Sequence, residues 1–341
     1  MAPKSPAGRL TELDAMRGLA ALLVVLFHYT CLYVEVKGGT RANDVGVWWG
    51  HYGVQLFFAI SGFVISMSLE RTQNAADFVV SRFSRLFPTY WAAMLVTTVA
   101  VKLSGNPNLQ VDGVAFLANL SMLPSVFGQP PVDGSYWTLA IELQFYLFLF
   151  GLKATGRFPS IEKWTAALAI LSFFIARAMP LQIVTLWSEF PWFVLGIAFY
   201  RIWTGERSLT QQLPLLALCA GSVTVHNGLA SLVIMGLVSS LFILLLKNRL
   251  GLFRQPLLQG LGLISYPLYL IHQYVGYSLF PTLKEIGMSR SMMTSVALIV
   301  VVVIAWALHH CVEVTSQAFL RTRWKLYRGQ QVGKRRVSLI L

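Results

Sequence analysis

Apolar runs of about 17 to 25 residues recur from one end of this 341-residue chain to the other, separated by short polar connectors. A run of that length crosses the roughly 30 Å hydrocarbon core of a bilayer as a helix. Inside hydrocarbon each backbone N–H and C=O must be satisfied within the structure, and continuous runs of this kind do so as helices, not as the short alternating strands of a barrel. Segmentation places spans near 13–33, 52–69, 86–103, 137–153, 163–181, 189–204, 211–226, 229–247, 259–280 and 293–317. The expected fold is all-α, a polytopic transmembrane helical bundle of about ten membrane-spanning helices. With 56% hydrophobic and only 12% charged residues, an ordinary soluble domain is excluded.

The net charge of +13 raises the question of an anionic partner such as nucleic acid, and its distribution answers it. With the N-terminus inside, the inner segments hold Lys4, Arg9, Arg17, Arg71, Arg82, Arg85, Lys153, Arg157, Lys163, Arg201, Arg207, Lys247, Arg249, Arg254 and seven more between positions 321 and 336, together 21 of the 27 basic residues. The outer segments keep Lys37, Arg41, Lys102, Arg177, Lys284 and Arg290. This is the positive-inside bias; it needs no nucleic acid and puts both termini in the cytoplasm. Residues 1–320 read as one membrane domain and 321–341 as a basic cytoplasmic tail that rests on anionic lipid.

The first apolar stretch is a full span without an A-x-A-like cleavage site, so it reads as a retained helix and not as a signal peptide. Cys31, Cys219 and Cys311 are odd in number and lack C-x-x-C spacing, which argues against a disulfide framework or a thiolate metal site. The longest outer segment, roughly 104–136, carries Pro107, Pro124, Pro130 and Pro131 and reads as a loop with a short apolar helix around 113–123.

Ionisable side chains at membrane depth are costly unless they are paired or line a wet cavity, so they are functional candidates by default. Arg17 and His28 lie eleven residues apart, close to three helical turns, which points both the same way with about 16 Å of rise between them. Glu142, in YWTLAIELQFY, enters from the outside to a depth like that of His28 and is expected to orient that imidazole. Tyr266, Tyr269 and His272 recur along one face of the ninth span in SYPLYLIH. Arg82 and Arg85 share a face at the inner end of the third span, where guanidinium pairs suit phosphate. Gly53, Ser61 and Gly62 in GVQLFFAISGF favour close helix packing. His309, His310 and Glu313 read as structural. Trp48, Trp49, Tyr52, Tyr136 and Trp137 lie at the outer side, where both sugar stacking and the ordinary aromatic belt of a membrane protein would place them.

In order, the stretches LDAMRGLAALLVVLFHY, GVQLFFAISGF, SRFSRLFPTY, SYWTLAIELQFY, SYPLYLIH and HHCVE run from residue 13 to residue 313. In this set the chain resembles the acyltransferase-3 family of bacterial integral membrane acyltransferases, the glycan O-acyltransferases. Thr138 departs from the pattern by standing where serine is usual. The resemblance implies catalytic roles for His28 and Glu142, donor contacts for Asp14, Arg17, Arg82 and Arg85, and acceptor contacts for Tyr136, Trp137, Tyr266, Tyr269 and His272, with no metal. It implies an acetyl-CoA or other short acyl-CoA donor made in the cytoplasm, a glycan or lipid-linked sugar acceptor, and a place in the bacterial inner membrane. His28 would serve as general base or as a transient nucleophile. Two other classes stay open from the residues alone: a proton-coupled transporter or flippase of a glycan precursor, and a non-catalytic membrane scaffold.

Overall fold

A computed structural model describes residues 10–33, 46–72, 74–106, 109, 111–175 and 181–338, with the side chains of 172–175, 181–187 and 331–338 left aside. Lys4, Arg9, Lys37, Arg41, Pro107 and Arg177 lie outside the described residues, as does the end of the span expected at 163–181. The described chain is helical throughout. Helix α1 is Thr11–Phe27 and runs on through a π-helical turn, His28–Leu32. Helices α2 (Gly53–Arg71), α3 (Ala75–Ser104) and the short α4 (Gly113–Asn119) follow. Then come α5 (Trp137–Ala154), α6 (Ile161–Ile175), α7 (Leu181–Trp203), α8 (Leu209–Asn227) and α9 (Leu229–Leu246). The chain closes with α10 (Pro256–Glu285), α11 (Arg290–Leu308), a second π turn at His309–Glu313, and α12 (Val314–Ser338).

Among the described residues, five helical stretches are long and apolar enough to cross a membrane: Thr11–Leu32, Trp48–Arg71, Ala75–Ser104, Leu229–Leu246 and Arg290–Gln330. Helices α5 and α10 match expected spans in position, yet Glu142, His272, Gln273 and several tyrosines, which these helices turn inward, dilute their hydropathy. The faces that such a bundle turns to lipid are apolar: Leu95, Val99 and Leu103 on α3, Leu229, Val233 and Leu237 on α9, and Ile299, Val303 and Trp306 on α11 are all exposed. Helix α3 starts earlier than expected because the Asn74 side chain accepts the Asp77 N–H at 2.9 Å and caps it. Pro88 therefore falls in its interior.

Two seams organise the bundle. In the first, α1 lies on α10, and a Cβ at Gly18 or Gly262 would run into the facing backbone. In the second, α2 lies on α7 with Gly62 against the Phe193 carbonyl and Gly196 against the Ala59 carbonyl. Small residues let the helix backbones meet where lipid offers no hydrophobic drive of its own. Ion pairing closes the first seam at its N-terminal end, where Arg254 donates to Glu12 at 2.7 Å. The last helix, α12, is held to the start of α3 by Asp77, which accepts from Trp324 Nε1 at 2.7 Å and pairs with Arg328.

Candidate functional site

The first seam leaves two connected spaces beside α1. At the Arg17 end is a cleft of about 760 Å³ lined by Asp14, Arg17, Arg71, Arg85 and Arg321, with His309 and Glu313 from the second π turn on its wall. It leads past Arg17, Arg85, Ser265 and Tyr266, which border both spaces, into a narrow chamber of about 60 Å³. Ser61, Thr138, Glu142, Tyr146 and Tyr269 line that chamber together with Val54, Phe57 and Phe58.

The two spaces differ in how their polar groups are used. In the chamber, Glu142 Oε1 accepts from Ser61 Oγ at 2.7 Å and from the Tyr146 hydroxyl at 2.5 Å, and the hydroxyls of Thr138 and Tyr269 lie 2.8 Å apart. In the cleft, neither Arg17 nor Arg85 donates a hydrogen bond to a described residue. Arg17 sits between the repulsion of Arg85 and the attraction of Asp14 and Glu142. Opposite His309, Glu313 takes up that imidazole at 2.8 Å. Two guanidinium groups that line one cleft can both donate hydrogen bonds to an anion there.

His28 opens the π turn at the other end of α1, a helical irregularity that often marks working residues. Its Nδ1 lies 2.7 Å from the Val24 carbonyl and 3.3 Å from His272 Nε2, and the two rings meet edge to face with centroids 4.7 Å apart. His272 Nδ1 lies 2.8 Å from the Tyr269 carbonyl. Crossed hydrogen bonds hold the pair: the Tyr29 hydroxyl donates to the His272 carbonyl at 2.6 Å and the Tyr277 hydroxyl to the His28 carbonyl at 3.2 Å. Gly276 leaves the room that the Tyr29 ring occupies. Beyond the pair, Phe27 carries Trp48 against it at 5.2 Å, and Trp48, Trp49 and Trp137 are exposed.

The sequence reading expects Glu142 beside His28, and the structure pairs them differently. Glu142 is turned to Ser61 and Tyr146 on the α2 and α5 side, and the imidazole that meets His28 is His272. The reason is topological, because α10 and not α5 is the helix packed along α1. His272 is fully buried, at 0% exposure, so it does not present itself to an acceptor sugar. Tyr136 is likewise buried, against Tyr90 at 5.0 Å, whereas its neighbour Trp137 is 43% exposed. Tyr266 belongs to the wall between cleft and chamber and donates to the Leu86 carbonyl at 2.9 Å.

The two arginines of SRFSRLFPTY separate. Arg85 reaches the cavity, while Arg82 is buried behind it, donating from Nη2 to Ser68 Oγ at 2.9 Å with its guanidinium 5.9 Å from the centre of the Tyr146 ring. It supports the residue that holds Glu142. Ser61 combines packing with a place in the chamber, and His309 and Glu313 reach the cleft wall.

Three groups had no distinguishing signal in the sequence. Tyr146 is one apolar-looking aromatic among many, and Ser135 reads as a loop residue. Asp133 has 0% exposure and ties the loop to α10, accepting from Ser135 N at 2.9 Å, from Ser135 Oγ at 2.7 Å and, through Oδ2, from Tyr274 N at 2.9 Å. Burial pushes its carboxyl up to about 6, against the hydrogen bonds from Ser135 and Tyr274 that favour the charged form. The contact between Asp133 and the Tyr274 N–H joins residues 141 positions apart and becomes visible only in three dimensions.

The chain is similar in sequence to several known proteins. The acyltransferase MdmB of Streptomyces mycarofaciens is 26% identical over 89% of this chain and 90% of its own length. The exopolysaccharide production protein ExoZ of Rhizobium meliloti is 26% identical over 66% of this chain and 76% of its own. The peptidoglycan O-acetyltransferase OatA of Listeria monocytogenes is 31% identical over 40% of this chain, a match that spans 23% of that larger protein. No solved structure matches the chain. An acyltransferase-domain sequence model matches residues 10–310, which hold the histidine pair, the chamber and most of the cleft lining, with Glu313 and Arg321 just beyond it, and by that match the chain belongs to the acyltransferase-3 family and is an acyltransferase.

Proposed function

We propose that this protein transfers a short acyl group, acetyl being the best fit, from cytoplasmic acyl-CoA to a hydroxyl of a glycan or lipid-linked sugar on the outer side of the bacterial inner membrane. The observation that carries this reading is the succession along α1 of an anion-receptive cleft, a narrow chamber and a histidine with an unengaged ring nitrogen. In this reading the cleft faces the cytoplasm with both termini, in a bundle of about ten spans. Residues 1–320 form the membrane domain, and the tail from 321 on lies at the cytoplasmic surface.

Coenzyme A is polyanionic at one end and carries a slim, amide-bearing arm at the other. Its phosphates pair with Arg17, Arg85 and Arg321, whose planar donors match phosphate oxygens. Asp14 holds Arg17 in place by attraction. The pantetheine arm enters the chamber, whose width admits a thin chain and little else, and an arm amide donates to Glu142. Arg82 acts from behind through Tyr146. Passing Thr138 and Tyr269, the thioester reaches His28.

There His28 Nε2 takes the proton of the acceptor hydroxyl while the oxygen attacks the thioester carbonyl. The carbon–sulfur bond breaks, and the departing sulfur receives the proton back from His28 Nε2, leaving free CoA and an ester. Proximity and a correctly protonated imidazole are the requirements, and a positioned base contributes about 10²- to 10⁴-fold. Trp48, which packs on Phe27 next to His28, offers a ring face to the sugar, and exposed Trp49 and Trp137 are the further candidates.

The test uses membrane vesicles carrying the wild-type chain or His28→Ala at matched levels, supplied with labelled acetyl-CoA. Wild type releases free CoA in proportion to label on the glycan fraction, and His28→Ala loses at least about 100-fold of both. Half-maximal or better transfer by His28→Ala, or label that never leaves CoA in wild type, overturns the assignment.

A further inference from the structure

The hydrogen-bond partners settle which nitrogen of each imidazole carries the proton. A carbonyl oxygen only accepts, so His28 Nδ1, at 2.7 Å from the Val24 carbonyl, bears a hydrogen, and so does His272 Nδ1, at 2.8 Å from the Tyr269 carbonyl. A neutral imidazole has a lone pair on its other nitrogen. His272 Nε2 is therefore an acceptor, and it faces His28 Nδ1 at 3.3 Å. His28 Nε2 carries the second lone pair and engages no described residue. No carboxylate hydrogen-bonds either ring among the described residues.

We propose that His28 and His272 form a dyad in which neutral His272 does for His28 what a carboxylate does in a Ser–His–Asp triad. It accepts the His28 Nδ1–H together with the Val24 carbonyl, holds the tautomer whose Nε2 is free to act as base, and supports the imidazolium while it carries the acceptor proton. The inference rests on the reading of His28 as general base. A neutral partner suits the site better than a carboxylate would: His272 is fully buried at membrane depth, where a permanent charge is expensive, and the positive charge on His28 lasts only as long as the transfer. The protein fixes the partner from both sides, since Tyr269 holds its Nδ1 and Tyr29 its backbone. Tyr269 is itself tethered to Thr138, so the dyad is continuous with the chamber wall. His272 is a positioning residue, sealed from substrate and acting through His28.

Purified full-length protein in nanodiscs, assayed for CoA release with acceptor present, provides the test. His272→Phe keeps the ring volume and removes the lone pair; kcat falls at least about 30-fold, with KM for acetyl-CoA within about 2-fold of wild type. His272→Gln restores an acceptor oxygen toward His28 and recovers kcat to within about 5-fold of wild type. A His272→Phe enzyme within about 3-fold of wild type, or a His272→Gln enzyme no better than His272→Phe, overturns the dyad. If both variants lose their fold, ¹⁵N spectra of histidine-labelled wild-type protein decide, with resonances assigned by substituting His28, His51, His226, His309 and His310 one at a time by Gln, which leaves His272 by elimination. Both residues then show the proton on Nδ1, and an Nε2-protonated ring at either position refutes the proposal. An active His28→Ala enzyme would remove the base reading itself, whereas an inactive His28→Ala beside a fully active His272→Phe would remove the dyad alone.

Discussion

The cleft and the chamber are neighbours built on opposite plans. The cleft is wide, about 760 Å³, and spends charge freely: Arg17 and Arg85 face it without a hydrogen bond to a described residue. The chamber is about 60 Å³ and leaves little unpaired, with Glu142, Ser61, Tyr146, Thr138 and Tyr269 all bonded to one another or to backbone. A wide basic space recognises charge and tolerates variation in geometry. A narrow, internally satisfied space selects shape and tolerates almost none. Damage to the first should therefore appear in donor affinity, and damage to the second in turnover and folding.

The largest effect is expected in the chamber. Glu142→Ala strips two hydroxyl donors of their acceptor at once, so CoA release by the purified enzyme should drop about 100-fold, with a loss of folding stability of about 2 to 3 kcal/mol from the buried groups left unpaired. A variant that only raised KM would erase the distinction between the two spaces. Next comes the cleft: Arg85→Ala should raise KM for acetyl-CoA about 10-fold or more and leave kcat within about 2-fold, the value of one charge-assisted hydrogen bond. A fall in kcat at unchanged KM would move Arg85 to the chemical step.

A smaller effect is expected where α12 is clamped. Asp77 engages Trp324 and Arg328 and so sets the helix that brings Arg321 to the cleft. Asp77→Asn should raise donor KM about 3-fold, the modest worth of a partly exposed pair, and Arg321→Ala in the same background should add little further.

The smallest effect concerns Asp133 and pH. Its folded-state carboxyl titrates near 6 against an ordinary 3.8, so between those values the folded protein binds more protons than the unfolded chain. Stability is then greatest toward pH 4 and is lost as pH rises through 6, the reverse of a salt-bridged carboxylate. Thermal unfolding in detergent should fall by a few degrees between pH 5 and 7, and Asp133→Asn should flatten that segment of the curve. A slope of opposite sign would show that the bonds from Ser135 and Tyr274 outweigh burial.

Much was legible before any coordinates. The helical class, the positions of α2, α5, α8 and α9 to within a few residues, and the short helix after position 112 follow from the length of apolar runs. The placing of Arg17 and His28 on one continuous helical element, α1 and the π turn that extends it, is read the same way, because helical periodicity is a local property. Glu142, Arg85, Tyr266 and Tyr269 stand out in the sequence as polar groups within apolar runs, and one cavity lining gathers all four.

The amino-acid order by itself determined which helices form and which of their residues are too polar for lipid, since both depend only on hydropathy and on spacing along one helix. Tertiary structure alone decided who meets whom. That α10 and not α5 lies along α1, through the facing Gly18 and Gly262, gives His28 a histidine for a partner and sends Glu142 to Ser61 and Tyr146. Partner choice across helices depends on which backbones approach closely enough to bring side chains within about 3 Å of each other, and no periodicity within a single helix carries that information.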